Sequence, residues 1–285
     1  MDLARALEPL TADMQAVDKE LKTLIALIGS EADPRRSRMG ILGGIVQHPF
    51  AVPGKRIRPA MVVLTYRALG GTADSDSLVS LAAAVEVLHA ASLVHDDVID
   101  AADSRRHQVS LNKRFGNRVA VLAGDILYTH FFTLITGMSR IEPKKRFSLL
   151  DVFLETTKAM CMGEILAQEA RAMAGPLTLE TYREIATDKT AVLFSACCRT
   201  AAILAEAPAP VVATLGRLGM DFGLTFQMID DVMDQDAGVA DGVDIKELAL
   251  GHARSASGGI DTLPETPYRK TLHDLLDYVI AQAIP

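Results

Sequence analysis

The chain has 285 residues, 49% of them hydrophobic and 23% charged, enough to bury a substantial core. A formal net charge of −7 and a pI near 5.5 exclude nucleic acid as the main partner, because neutralising phosphates needs a basic face. No uncharged run reaches the roughly 18 apolar residues of a membrane-spanning helix, and the opening stretch 1-MDLARALEPL-10 has acids and no signal-peptide pattern.

In chain order, Leu3, Leu7, Leu10, Met14, Val17, Leu21, Leu24 and Ile28 recur at three- and four-residue steps. They predict one amphipathic helix over the first thirty residues or so. Similar patterns predict helices over 59–70, 78–100, 119–137, 145–173, 178–205, 210–234 and 265–282. Period-two strands are absent, and abundant alanine without tryptophan suits closely packed helices. The stretches 50-FAVPG-54 and 207-APAP-210 are short enough to be loops. With no linker and no low-complexity tract, the expected fold class is all-α, with residues 1–285 forming a single domain. Cys161, Cys197 and Cys198 have no metal-ligand spacing and sit in apolar helical runs. They are expected to be reduced core residues of a cytoplasmic protein.

Two acidic clusters interrupt this pattern. The apolar segment 81-LAAAVEVLHAASLV-94 runs into Asp96, Asp97, Asp100 and Asp103. On a helix these fall within an arc of about 120°, although like charges at this spacing repel. The pattern recurs in 226-FQMIDDVMDQD-236, where Asp230, Asp231 and Asp234 close a second apolar helix with Gln227 on the same face. A solvated helix end explains one such cluster; two facing each other across a cavity would require cations. All-oxygen ligation without histidine or thiolate points to Mg²⁺, with Mn²⁺ as a substitute, and hence to a phosphorylated substrate.

The cations agree. Lys55, Arg56 and Arg58 lie in 54-GKRIRPA-60, with Pro59 suited to be the first helical residue. A helix N-terminus beside three cations suits an anion. His89 stands seven residues before Asp96, two helical turns away on the same face. Lys189 and Thr190 precede the apolar stretch 191-AVLFSACC-198.

Taken together, GKRIRP, Glu86 with His89, LVHDDVID followed by Arg105 and Arg106, the segment Phe115 to Asp125, Lys189-Thr190 and FQMIDDVMD resemble the trans-polyprenyl diphosphate synthase family, long-chain members included. The resemblance covers roughly residues 40 to 236. It implies an all-α bundle of isoprenoid synthase type around a deep central cavity, usually a homodimer, that condenses isopentenyl diphosphate head-to-tail with an allylic diphosphate. It implies Asp96, Asp100 and Asp230 as Mg²⁺ ligands, with Asp97, Asp231 and Asp234 holding the waters around the metal. It assigns Arg105, Lys189, Thr190 and Gln227 to the allylic substrate, and Lys55, Arg58, His89 and Arg106 to isopentenyl diphosphate. The released diphosphate serves as the base, so no dedicated protein nucleophile is needed. The growing chain is implied to pass Ala91, Leu88 and Val85 in turn, five, eight and eleven residues before Asp96. The absence of an aromatic there implies a product of octaprenyl to decaprenyl class, as used for quinone side chains, unless another segment such as 126-ILYTHFFTLI-135 sets the floor. A peripheral membrane contact would serve product release.

Two departures stand out. Gln168 comes one place later than expected after Gly163-Glu164. The lysine-rich, glycine-bounded segment expected after Asp234 is missing, either deleted or absent from the numbering between about Gln235 and Lys246. Two alternatives therefore stay open: a catalytically impaired partner subunit of a heteromeric synthase, and a class I terpene cyclase.

Overall fold

The computed structural model describes residues 2–30, 41–71, 75–105, 107–173, 175–234, 238–239 and 242–283. The elements in chain order are α1 (Leu3–Ala6), α2 (Thr11–Ser30), α3 (Ile41–Gln47), α4 (Ile57–Ala68), α5 (Ser75–Ile99), β1 (Ser104–Arg105), β2 (Gln108–Val109), α6 (Leu111–Phe115), α7 (Asn117–Thr136) and α8 (Pro143–Ala172). Then come α9 (Leu179–Ile185), a π-helical turn (Ala186–Ala191), α10 (Val192–Leu204), α11 (Ala209–Asp234), α12 (Ile245–Asp261) and α13 (Pro267–Ala281). The fold is all-α, as the periodicity predicts. Its one ribbon among the described residues is the antiparallel pair β1–β2, too short to leave a period-two signature.

The chain folds as two compact units. The first comprises Ala12–Pro59 and Val79–Ile141; the second comprises Met1–Thr11, Ala60–Leu78 and Glu142–Pro285. In the first unit α2 buries Val17, Leu21, Leu24 and Ile28, the stripe read from the sequence. That stripe is not one helix, however: Pro9 sits in a 3-10 turn, Glu8–Leu10, that separates α1 from α2. Proline offers no N–H and clashes with the carbonyl four residues back, so a continuous helix cannot pass it without a kink. From Leu81 to Leu88 every residue of α5 is buried, Glu86 included. A helix apolar on all sides belongs inside a core, and alanine at 82, 83 and 84 lets neighbours approach closely.

In the second unit α11 packs on α10, on the π turn and on α12. The seam between α10 and α11 is set by glycine. A Cβ at Gly219 would stand 2.4 Å from the Phe194 carbonyl oxygen, and one at Gly223 would stand 2.6 Å from the Ala191 Cα. Gly219→Ala should therefore destabilise the protein. Overpacking against backbone costs ~1–3 kcal/mol, more than the ~1 kcal/mol of helix propensity gained. A lowered urea midpoint is the expected reading.

α12 is absent from the helices predicted above. Ile245, Ala249, Ala253, Ala256 and Ile260 are its buried face. Its Gly251, Ser255, Ser257, Gly258 and Gly259 are weak helix formers that blur the period, whereas Asp244 caps it by accepting from the Glu247 N–H at 2.9 Å.

Two expectations are corrected. Cys197 and Cys198 are buried, but Cys161 is exposed, because it lies on an outward face of α8. Burial pushes the Cys198 thiol up to about 12. Secondly, α5 and α7 are both long and apolar enough, by length and composition, to cross a membrane. Neither is an uncharged run, yet a spanning window tolerates a charge or two. The apolar window of α5 is 72% buried in the protein and that of α7 39%, so α5 is accounted for as a core helix.

Candidate active site

The first acidic cluster lies where α5 ends. Its last helical residue is Ile99, and Ala101 takes a left-handed φ of 48°. Asp103 is therefore off the helix and not on the face of Asp96 and Asp100, which corrects the arc inferred from spacing. It instead pairs with Lys113 at 2.8 Å on the surface. Asp96 is partly exposed and Asp100 exposed, whereas Asp97 is buried. The helix C-terminus carries partial negative charge, so two carboxylates there repel both each other and the helix end.

The turn that follows is tied down by its own side chains. Asn112 donates to the Asp97 carbonyl at 3.0 Å and to the Ala102 carbonyl at 3.1 Å, and Ser110 donates to the Ala102 carbonyl at 2.5 Å. The Asp97 carbonyl also accepts from the Ala102 N–H at 2.9 Å, so the turn is fastened back onto the helix end. Arg105 then reaches back to Asp97, Nε to Oδ1, at 2.6 Å. Burial raises the Asp97 carboxyl above the usual range, opposed by the Arg105 guanidinium.

Asp97 and Arg105 line a pocket in this unit with His48, Arg56, Glu86 and His89. Arg56 binds Glu86 and also reaches Asp18 at 3.3 Å. This pairing fixes the loop before α4, whose helix begins at Ile57, so Pro59 is its third residue and not its first. Arg58 Nη1 lies 3.3 Å from His89 Nε2, and Lys55 is exposed. His48 holds the pocket rim through the Val109 carbonyl at 2.7 Å and Gln108 at 3.0 Å. Arg106 lies outside the described residues. Ala91, Leu88 and Val85 are fully buried on α5.

The second unit has its own pocket, lined by Arg171, Tyr182, Lys189, Thr190, Gln227 and Asp231. Lys189 Nζ meets Glu164 Oε2 at 2.5 Å, and Gln168 donates to the other oxygen at 2.8 Å, so Gln168 has a role despite its displaced position. Thr190 donates to Gln227 Oε1 at 2.7 Å, and Gln227 Nε2 donates to Asp231 Oδ1 at 2.8 Å. Asp230 and Asp234 are exposed.

After α11 the Leu177 N–H donates to the Gly238 carbonyl at 2.7 Å, and Leu177 bridges Val239 in parallel. Residues 235–237 and 240–241, within the stretch where the sequence departs from the expected lysine-rich segment, lie outside the described residues. The one lysine or arginine between 235 and 250 is Lys246; its Nζ bonds the Ala283 carbonyl at 3.3 Å.

Among the described residues no three His, Cys, Asp or Glu side chains form a ready metal cluster. Asp96, partly exposed, and Asp100, exposed one turn on, still fit a hard divalent ion that keeps waters and takes phosphate oxygens. Sequence reasoning missed His48, Asn112 and Tyr182, whose partners are 60, 15 and 49 residues away.

Comparison with known proteins gives this geometry its context. The chain is 36% identical over 230 residues to a prenyl transferase of Synechocystis, covering 79% of this chain and 65% of that protein. It is 35% identical over 211 residues to the octaprenyl diphosphate synthase of Escherichia coli, covering 74% and 61%. It thus spans just under two thirds of these relatives' lengths. The solved structure of a decaprenyl diphosphate synthase from Rhodobacter capsulatus superposes with a TM-score of 0.84 at 25% identity, each chain fully covered. A polyprenyl synthase from Caulobacter crescentus, solved with calcium and isoprenyl diphosphate, gives 0.83 at 25% identity over 98% of each chain. The sequence model of the polyprenyl synthetase family matches residues 40–242, and the chain belongs to that family.

Proposed function

We propose that this chain is a prenyltransferase that condenses isopentenyl diphosphate with an allylic diphosphate into a long-chain all-trans polyprenyl diphosphate. The observation that carries this reading is that each unit has a pocket joining the end of an acid-tipped helix to fixed cations. Asp97 with Arg105 does so in one, and Asp231 with Lys189 in the other.

Asp96, Asp100 and Asp230 would hold Mg²⁺, or Mn²⁺ in its place; when bound, the ion supplies neutralisation of the leaving diphosphate's charge. Lys189, Thr190, Gln227 and Arg105 would bind the allylic diphosphate. Lys55, Arg58, His89 and Arg106 would hold isopentenyl diphosphate, with the neutral acceptor nitrogen of His89 oriented by Arg58. Fixed cations aimed at developing charge need no reorganisation as the bond breaks. The apolar pocket walls exclude water from the allylic cation, which water would otherwise quench. We further propose that residues 1–285 work as one synthase domain with a gap or deletion near 235–246, as a cytoplasmic homodimer with peripheral membrane contact during product release.

A second reading has one observation in its favour. Lys246, the one cation in the shortened segment, is engaged at Ala283 and not at the second pocket, which suits a subunit that needs a partner to complete its site. The purified chain alone, given labelled isopentenyl diphosphate, an allylic primer and Mg²⁺, separates the two. Turnover is expected. Turnover that appears only on adding a second synthase subunit would replace the homomeric reading with the heteromeric one.

A further inference from the structure

Tyr182 is buried, at 5% exposure, yet its hydroxyl reaches the second acidic cluster and donates to Asp231 Oδ2 at 2.6 Å. The other oxygen of Asp231 accepts from Gln227, which in turn accepts from Thr190. The result is a chain, Thr190 to Gln227 to Asp231, closed from the opposite end by Tyr182. A carboxylate offers about four acceptor positions. With a donor on each oxygen, the rotation of Asp231 is fixed.

The backbone is built to allow this. Tyr182 and Thr190 are eight residues apart, which on a regular helix places them about 80° apart. The intervening π turn, Ala186–Ala191, takes up about one extra residue and brings the two within about 20° of alignment. Both side chains then reach Gln227 and Asp231, which stand one turn apart on α11 and share a face. A π turn is rare within α-helices and is frequently found at functional sites.

We propose that Tyr182 is a positioning residue, whose hydroxyl holds Asp231 in the one orientation that lets the second acidic cluster engage a divalent cation and a diphosphate together. This rests on the reading of Asp230, Asp231 and Asp234 as the metal–diphosphate cluster of a prenyltransferase. Tyr182 lines the second pocket, and the role assigned to it is exerted through Asp231.

The test uses Tyr182→Phe, which removes one oxygen and leaves the buried ring in place. Thermal unfolding of the whole protein is followed while Mg²⁺ is titrated in the presence of inorganic diphosphate. Outer partners of metal-binding carboxylates are worth about 10–100-fold in affinity or activity. The Mg²⁺ concentration giving half the diphosphate-dependent rise in Tm should therefore increase about 10-fold or more. KM for isopentenyl diphosphate should stay unchanged. In Asp231→Asn, adding Tyr182→Phe should have no further effect on the Mg²⁺ titration, since the two act as one unit. A Tyr182→Phe protein with a lower Tm but an unmoved Mg²⁺ midpoint would overturn the proposal and leave the hydroxyl a packing feature. Additive effects in the double variant would overturn it too. If wild type shows no Mg²⁺-dependent response to diphosphate at all, the reading of the cluster fails first, a different result from either.

Discussion

Alanine at Asp96 or at Asp230 should reduce prenyl transfer by several kcal/mol of transition-state stabilisation, on the order of 10³-fold, while leaving the fold intact. Asp230 is exposed and Asp96 partly exposed at helix ends, so neither is needed to fill the core. Removing a carboxylate from a helix C-terminus even relieves an unfavourable interaction with the macrodipole. Loss of activity with unchanged or raised Tm is thus the signature of a ligand. Asp103→Ala makes the contrast: it breaks only a surface pair with Lys113 and should leave turnover unchanged. Incorporation of labelled isopentenyl diphosphate, with and without EDTA, measures all three. Full activity in EDTA would sink the metal-dependent mechanism.

Ala91→Phe should shorten the product to about three or four isoprene units, because a close-packed wall does not yield a methylene cheaply and a bulky side chain acts as a stop. Ala91 is fully buried, as are Leu88 and Val85 below it. The same substitution should cost ~1–3 kcal/mol of stability through overpacking, so product length must be read at a temperature where the variant is folded. Chromatography of the products decides. Unchanged length would place the floor elsewhere in the same unit, where α7 contributes the fully buried Phe131; Phe131→Ala would then lengthen the product.

Much of this was legible in the sequence because apolar periodicity is a local signal. The extent of α5, α7, α8, α11 and α13 follows from side chains three and four places apart. α12 was not legible, since its glycines and serines dilute the stripe that Ile245 and Ile260 mark. The acids were legible as acids, because carboxylates at a helix C-terminus have no local reason to be there. Their individual directions were not. Helical arithmetic puts Asp96, Asp97 and Asp103 in one arc, yet Arg105 draws Asp97 inward and the left-handed Ala101 carries Asp103 away. Residues held by distant partners left no trace either. His48 depends on Gln108 and Val109, and Tyr182 on Asp231, pairings that only the folded chain creates. The eight-residue step from Tyr182 to Thr190 even reads as a mismatch until the π turn is known.

The bond from Leu177 to Gly238 has a topological meaning. It clasps the two ends of a long excursion of the chain, so that α9, the π turn, α10 and α11 form a loop fastened at its neck. Lys189, Thr190, Gln227 and Asp231 all lie inside that loop. The entropy of holding a neck grows only slowly with the length it encloses, so one short clasp can keep many residues in register. Opening it would free only the neck, since the π turn and α10 also pack on α8, and α11 on α12. The stretch after α11 thus closes the neck of the excursion as well as connecting two helices.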